Sequence, residues 1–224
     1  MVIFPHPDDE SVWTGGLLIL AKKYGWKTTV VTLTKGEQGQ CYINRHGKKL
    51  PQIRHEELTH ATNTLGVNKL ILGKFEDSKI KQNKAKMETW VKKIITQENP
   101  SLVFTYDVSG FTGHPDHIQL SVSLLQIVKS LKVKPELFWV SMPKYLAKHI
   151  VNKQVYSNFQ FPTHKLNIGL DWYRKLSAIR KHMSQKLEEG KPKLFLYLAI
   201  FHSEWYYKVD LSKQYKSKFI DFEI

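Results

Sequence analysis

Two short stretches of this 224-residue chain gather the side chain types that hold cations and move protons. The first is Pro5-His6-Pro7-Asp8-Asp9-Glu10, where three acidic residues crowd around one histidine between prolines that keep the chain extended. Such crowding is costly without a cation, and imidazole with carboxylate suits zinc or ferrous iron, usually as three protein ligands plus water. Adjacent carboxylates on a turn point in different directions, so one can bind a metal while its neighbour faces the water. The plainer alternative is that Asp8 to Glu10 only cap the following helix, where acidic residues are welcome. The second stretch, Gly113-His114-Pro115-Asp116-His117, repeats the His-Pro-Asp order. If a helix starts there, His114 and His117 share one side of it, and Asp116 is either functional or simply a first-turn acid. Two such segments in one chain favour a metal site.

The elements around them alternate. Val2-Ile3-Phe4 reads as a short strand, Gly15 to Tyr24 as a helix and Thr28 to Thr34 as a strand, a βαβ unit. Residues 35–53 read as a long polar loop, and Arg54 to Leu65 as a helix closed by Gly66. There follow a strand at Lys69 to Leu72, a helix from Lys86 to Glu98 stopped by Asn99-Pro100, a strand at Leu102 to Tyr106, a helix over 116–131 and a strand at Leu137 to Ser141. Beyond Pro143 the alternation weakens, with a helix expected from Leu170 to Leu187 and a strand-like tail after Leu194. The pattern predicts one α/β domain over 1–224, a Rossmann-like, mostly parallel doubly wound sheet with a C-terminal elaboration. In such sheets ligands gather at the carboxyl ends of the strands, where both histidine motifs fall.

Composition narrows the partners. The longest apolar run, Leu194 to Phe201, is far short of the roughly 20 residues that span a bilayer, and no leader or anchor is expected. The one cysteine, Cys41, allows no internal disulfide, has no activating neighbour in the sequence and suits a reducing, cytoplasmic setting. The formal charge of +14 favours anionic partners, but the lysines are scattered, without the arginine and aromatic track of a single-strand binder, so nucleic acid is not expected.

The chain resembles the LmbE-like, or PIG-L, de-N-acetylases from Phe4 to about Glu204. The resemblance is carried by Pro5 to Glu10, Thr34 to Gly39, Arg54-His55-Glu56-Glu57-Leu58 with Ala61, Gly113 to His117, Lys175 to Ala178 and His182-Met183-Ser184-Gln185. It implies a Rossmann-like fold and a zinc ion (ferrous iron is the alternative in the cell) held by His6, Asp9 and His117, with Asp8 as general base toward the attacking water. His114 would stabilise the oxyanion or protonate the leaving amine, and Asp116 would hold the imidazole of His114 or His117. Arg54 and Asp77 would contact the sugar. Thr112 stands where some members place a tyrosine, so no tyrosine role carries over. Of the remaining histidines, His182 and His202 are the strongest exceptions to a surface or structural role.

Hydrolysis of an unactivated amide suits these groups. The expected substrate is a small N-acetylglucosamine conjugate with an acidic aglycone such as a malate, an inositol phosphate or a thiol-cofactor precursor; a homo-oligomer is compatible with the sequence. A hydrolase of another small amide, or a lysine-rich polyanion binder with a structural metal, are the competing readings.

Overall fold

The computed structural model describes residues 1–185 and 202–215. Their contacts form two compact units, one combining 2–77 with 165–185 and 202–204, the other 78–164 with 205–215 and Met1.

In the first unit, β1 (Val2–Phe4), β2 (Thr29–Thr34) and β3 (Lys69–Phe75) run parallel, with β2 between the others. Helices α1 (Asp9–Lys23) and α2 (Leu50–Leu65) make the connections. The β2 to β3 register shifts between Thr32 and Thr34. Gly73 permits this, since a Cβ there would lie 2.3 Å from the Leu33 carbonyl oxygen.

Helix α1 starts within the first motif, earlier than the expected Gly15. The Asp8 carbonyl accepts from Ser11 and Val12 N–H, placing Asp9 and Glu10 in the first turn, where the helix dipole favours acids. Burial on nearly every side of α1, including Gly15 and Gly16, removes the amphipathic rhythm that would have marked its start. Helix α2 likewise opens at Leu50 and shortens the expected loop, because the Gln52 side chain accepts from Lys49 N–H and Pro51 suits the first turn. Gly66 ends it at φ 77°, as expected.

The second unit holds α3 (Lys84–Glu98), β4 (Leu102–Thr105), α4 (Pro115–Ser130), β5 (Glu136–Ser141) and α5 (Lys144–Ile150). Strand β5 pairs parallel with β4 and antiparallel with a later strand, Ser203–Lys208. The architecture is α/β and mostly parallel, as the alternation predicts.

The helix expected from Leu170 to Leu187 is interrupted. A 3₁₀ turn at Gly169–Asp171 leads into α6 (Trp172–Ile179), and a second 3₁₀ turn follows at Met183–Gln185. The break accompanies the capture of Ser184 by Glu57, whose two carboxylate oxygens accept the Ser184 N–H and Oγ–H, each at 2.7 Å. Leu187 and the stretch Leu194 to Phe201 lie outside the described residues.

Candidate active site

In the first unit the loop after β1 is pinned by its neighbour: the Pro5 carbonyl accepts from both the N–H and Oγ–H of Thr34, each at 2.9 Å. His6 and Asp9 are both buried. Asp9 Oδ2 accepts the His6 N–H at 3.1 Å and lies 3.8 Å from His6 Nδ1. The other ring nitrogen, Nε2, is 3.0 Å from Asp77 Oδ1. A carboxylate can only accept, so Nε2 carries a proton, and Nδ1 is the ring nitrogen turned toward the Asp9 oxygen. Asp77 also accepts the Gln38 N–H, and its own N–H donates to Glu37. Burial alone would raise its carboxyl, but the hydrogen bond and charge of His6 outweigh this and hold it at about 2. The structure thus sets Asp77, expected at the sugar, against the His6 ring.

Asp8 occupies φ 107°, which a non-glycine residue adopts only when its surroundings impose it. Its N–H donates to Glu10 Oε2 at 3.0 Å. Its side chain makes no helix-capping bond, which removes the plainer role considered for it. Instead Oδ2 accepts from Arg54 Nη2 at 2.9 Å. Arg54 is 3% exposed and gives further donors to the carbonyls of Pro7 and Gly36. Burial lifts the Asp8 carboxyl above its ordinary range, although Arg54 pulls it the other way.

Beneath this turn lies a buried pair that the residue types alone did not reveal. Glu10 Oε1 accepts from His182 Nε2 at 2.9 Å and from Ser11 Oγ at 2.5 Å. Burial opposes charge on both partners, but their attraction wins, holding Glu10 below its usual range and His182 above. The only sequence signal was the place of His182 in the C-terminal motif.

In the second unit, His114 and His117 stand at the start of α4 with ring centres 5.0 Å apart. His117 Nδ1 is 3.1 Å from the Gly110 carbonyl, an acceptor only, so Nδ1 carries the proton and Nε2 is the nitrogen suited to a cation. The ring stacks on Tyr106 at 4.2 Å. His114 Nδ1 accepts the Asp116 N–H at 3.2 Å, which places the proton of the neutral ring on Nε2. The Asp116 carboxylate accepts the N–H groups of Ser78 at 2.7 Å and Ile80 at 3.2 Å. The Asp116 main-chain N–H thus meets His114, while its carboxylate holds the turn at Ser78 and Ile80.

The PIG-L family, described as GlcNAc-PI de-N-acetylase, matches residues 1–128, a span that takes in both histidine motifs. The chain belongs to this family. It is similar to the probable N-acetyl-alpha-D-glucosaminyl L-malate deacetylase 2 of Bacillus anthracis, 29% identical over 190 residues that cover 83% of this chain and 80% of the relative. Among solved structures it shares its fold with N,N'-diacetylchitobiose deacetylase from Pyrococcus horikoshii, at a TM-score of 0.76 and 20% identity over 98% of this chain and 86% of that one. A 4-carboxy-2-hydroxymuconate hydratase from Pseudomonas putida has the fold too, at a TM-score of 0.66 and 17% identity, covering 93% of this chain and 95% of that one. The PIG-L fold therefore does not by itself choose a reaction; the residues of the site must.

Proposed function

We propose that this PIG-L family member is a metal-dependent deacetylase acting as one domain on the acetamide of an N-acetylglucosamine conjugate. The observation that carries the reading is the division of labour between adjacent aspartates: Asp9 faces the His6 ring, whereas Asp8 is kept out of helix capping and held by Arg54. We assign His6, Asp9 and His117 as the ligands of one divalent ion, zinc or ferrous iron. The donor set fits: His6 Nδ1 and Asp9 Oδ2 lie 3.8 Å apart, and the Gly110 bond orients His117 to offer Nε2. When bound, such an ion polarises a carbonyl oxygen and acidifies water beside it.

Asp8 takes the proton of the attacking water, a task suited to a carboxylate whose basicity is raised by burial. The same carboxyl then hands that proton to the departing amine. His114, neutral with its proton on Nε2, donates a hydrogen bond to the carbonyl oxygen as negative charge develops there. Arg54 serves by fixing Asp8, and Asp77 by fixing His6.

A malate-like or inositol phosphate aglycone suits the basic chain, whose formal charge is +14. Among the described residues no helix is long and apolar enough to cross a membrane. A small conjugate in a reducing cytoplasm is the proposed setting.

The test is an amine-release assay over N-acetylated sugars carrying malate, inositol, inositol phosphate or no aglycone, with metal removed and restored. Release that depends on the metal is expected, fastest with an acidic aglycone. Full turnover in verified metal-free protein, or no release from any sugar with metal restored, would overturn the proposal. Retention of a polyanion with steep salt dependence and no hydrolysis would favour the binding alternative.

A further inference from the structure

Asp107 takes no part in the chemistry above, yet it is completely buried at the start of the loop between β4 and α4. Its Oδ1 accepts the Ser109 N–H at 3.2 Å and the Ser109 Oγ–H at 2.5 Å, while Oδ2 accepts the Gln160 N–H at 2.9 Å. The Asp107 main-chain carbonyl accepts the Gly110 N–H at 2.9 Å. Ser109 Oγ passes the restraint on by accepting the Phe111 N–H at 3.1 Å.

The two residues held this way have unusual backbones. Gly110 at φ 66° and Phe111 at φ 60° are consecutive left-handed positions. For a bulky side chain such as Phe111 this conformation is unfavourable and persists only when its surroundings over-determine it. Gly110 is needed for space as well, because a Cβ there would lie 2.6 Å from the Ile118 side chain and 3.1 Å from His117 Cβ. The product of the turn is the position of one carbonyl: Gly110 O meets His117 Nδ1 at 3.1 Å.

We propose that Asp107 is a positioning residue of the metal site: through Ser109 it holds the left-handed Gly110–Phe111 turn, whose carbonyl fixes His117 in the tautomer that offers Nε2 to a cation. The proposal rests on the reading of His117 as a ligand. It assigns to a carboxylate with no role in the reaction a measurable share of metal affinity, since groups that orient a ligating histidine typically contribute 10- to 100-fold.

Zinc affinity of the purified full chain, measured by competition with a chromophoric chelator, tests it, together with the imidazole nitrogen shifts of His117 in the metal-free protein. Asp107→Ala and Ser109→Ala should each weaken zinc binding by about 10- to 100-fold and mix the His117 tautomers. Asp107→Asn keeps an acceptor oxygen for Ser109 and should lose clearly less than Asp107→Ala. If Asp107→Ala does not fold, Ser109→Ala carries the comparison, with cooperative melting as its control. Folded Ser109→Ala with wild-type zinc affinity and a single His117 tautomer would overturn the inference, as would equal losses in the Asn and Ala variants of Asp107. Wild-type protein that binds no zinc, or His117→Ala that binds it as tightly as wild type, would instead defeat the ligand assignment itself.

Discussion

Asp77 Oδ1 lies 3.0 Å from His6 Nε2, so the histidine that opens the first motif is oriented by a carboxylate from just beyond β3. Such a bond fixes the tautomer and makes the opposite nitrogen a better ligand. Asp77→Ala should therefore weaken zinc binding by about 10- to 100-fold, as measured by metal titration. A rise in KM with unchanged metal affinity would return Asp77 to the sugar contact expected from the family resemblance.

The neighbouring aspartates should separate cleanly. Asp8→Asn should keep the metal and lose about 10²- to 10⁴-fold in kcat with little change in KM, whereas Asp9→Asn should lose metal. Metal content, melting temperature and turnover of both variants decide it. Near-normal turnover of metal-loaded Asp8→Asn would remove Asp8 as the base.

Arg54→Lys keeps the charge but not the fork that reaches Asp8, Pro7 and Gly36 together. We expect a loss of about 1–3 kcal/mol in stability and a fall in kcat, with KM nearly unchanged. An arginine that gripped the sugar would show the opposite split, a raised KM and normal kcat, in a steady-state assay.

His114 accepts a backbone N–H at Nδ1, which the imidazolium, protonated on both nitrogens, could not do. His114→Ala should cost about 10²- to 10³-fold in kcat as the loss of one donor to the oxyanion. The basic side of the pH–kcat profile should keep its shape in the variant. Disappearance of a basic limb would show that His114 acts as a charged acid.

Asp107 gives a pH prediction. Burial holds its carboxyl up at about 6, against an ordinary 3.8, despite the bonds from Ser109 and Gln160. The folded protein binds this proton more tightly than the unfolded chain. The stabilisation is therefore complete below about pH 4 and is lost as pH rises to about 6. At about 1.4 kcal/mol per pH unit, the loss is on the order of 3 kcal/mol. Denaturant unfolding of metal-free Asp107→Asn across this window should show a flatter decline than wild type; identical slopes would refute the assignment.

Much of this was legible in the sequence, for physical reasons that also explain the gaps. Strand β2, with its β-branched Thr29-Val30-Val31-Thr32 run, and helix α2, closed by Gly66, announce themselves through propensity and a left-handed stop. The start of α1 did not, because a helix buried on nearly all sides has no polar stripe. The two histidine motifs stood out because several ligand-type residues are local in sequence. The supports of the site are long-range: Glu10 meets His182 across 172 positions and Ser184 meets Glu57 across 127, distances at which spacing carries no signal. Asp107 was invisible for another reason, since a lone aspartate after a strand looks like an ordinary turn residue.

Gly36 sits at φ 64°, and even a methyl group there would come within 1.9 Å of Arg54 Nη1 and 2.3 Å of its Cζ. The guanidinium would have to leave, and with it the grip on Asp8. A saturation mutagenesis map of activity would then mark a residue with no side chain as intolerant as the base itself, and a designer wishing to graft new substrate-contacting loops between β2 and α2 would have to leave that one position untouched.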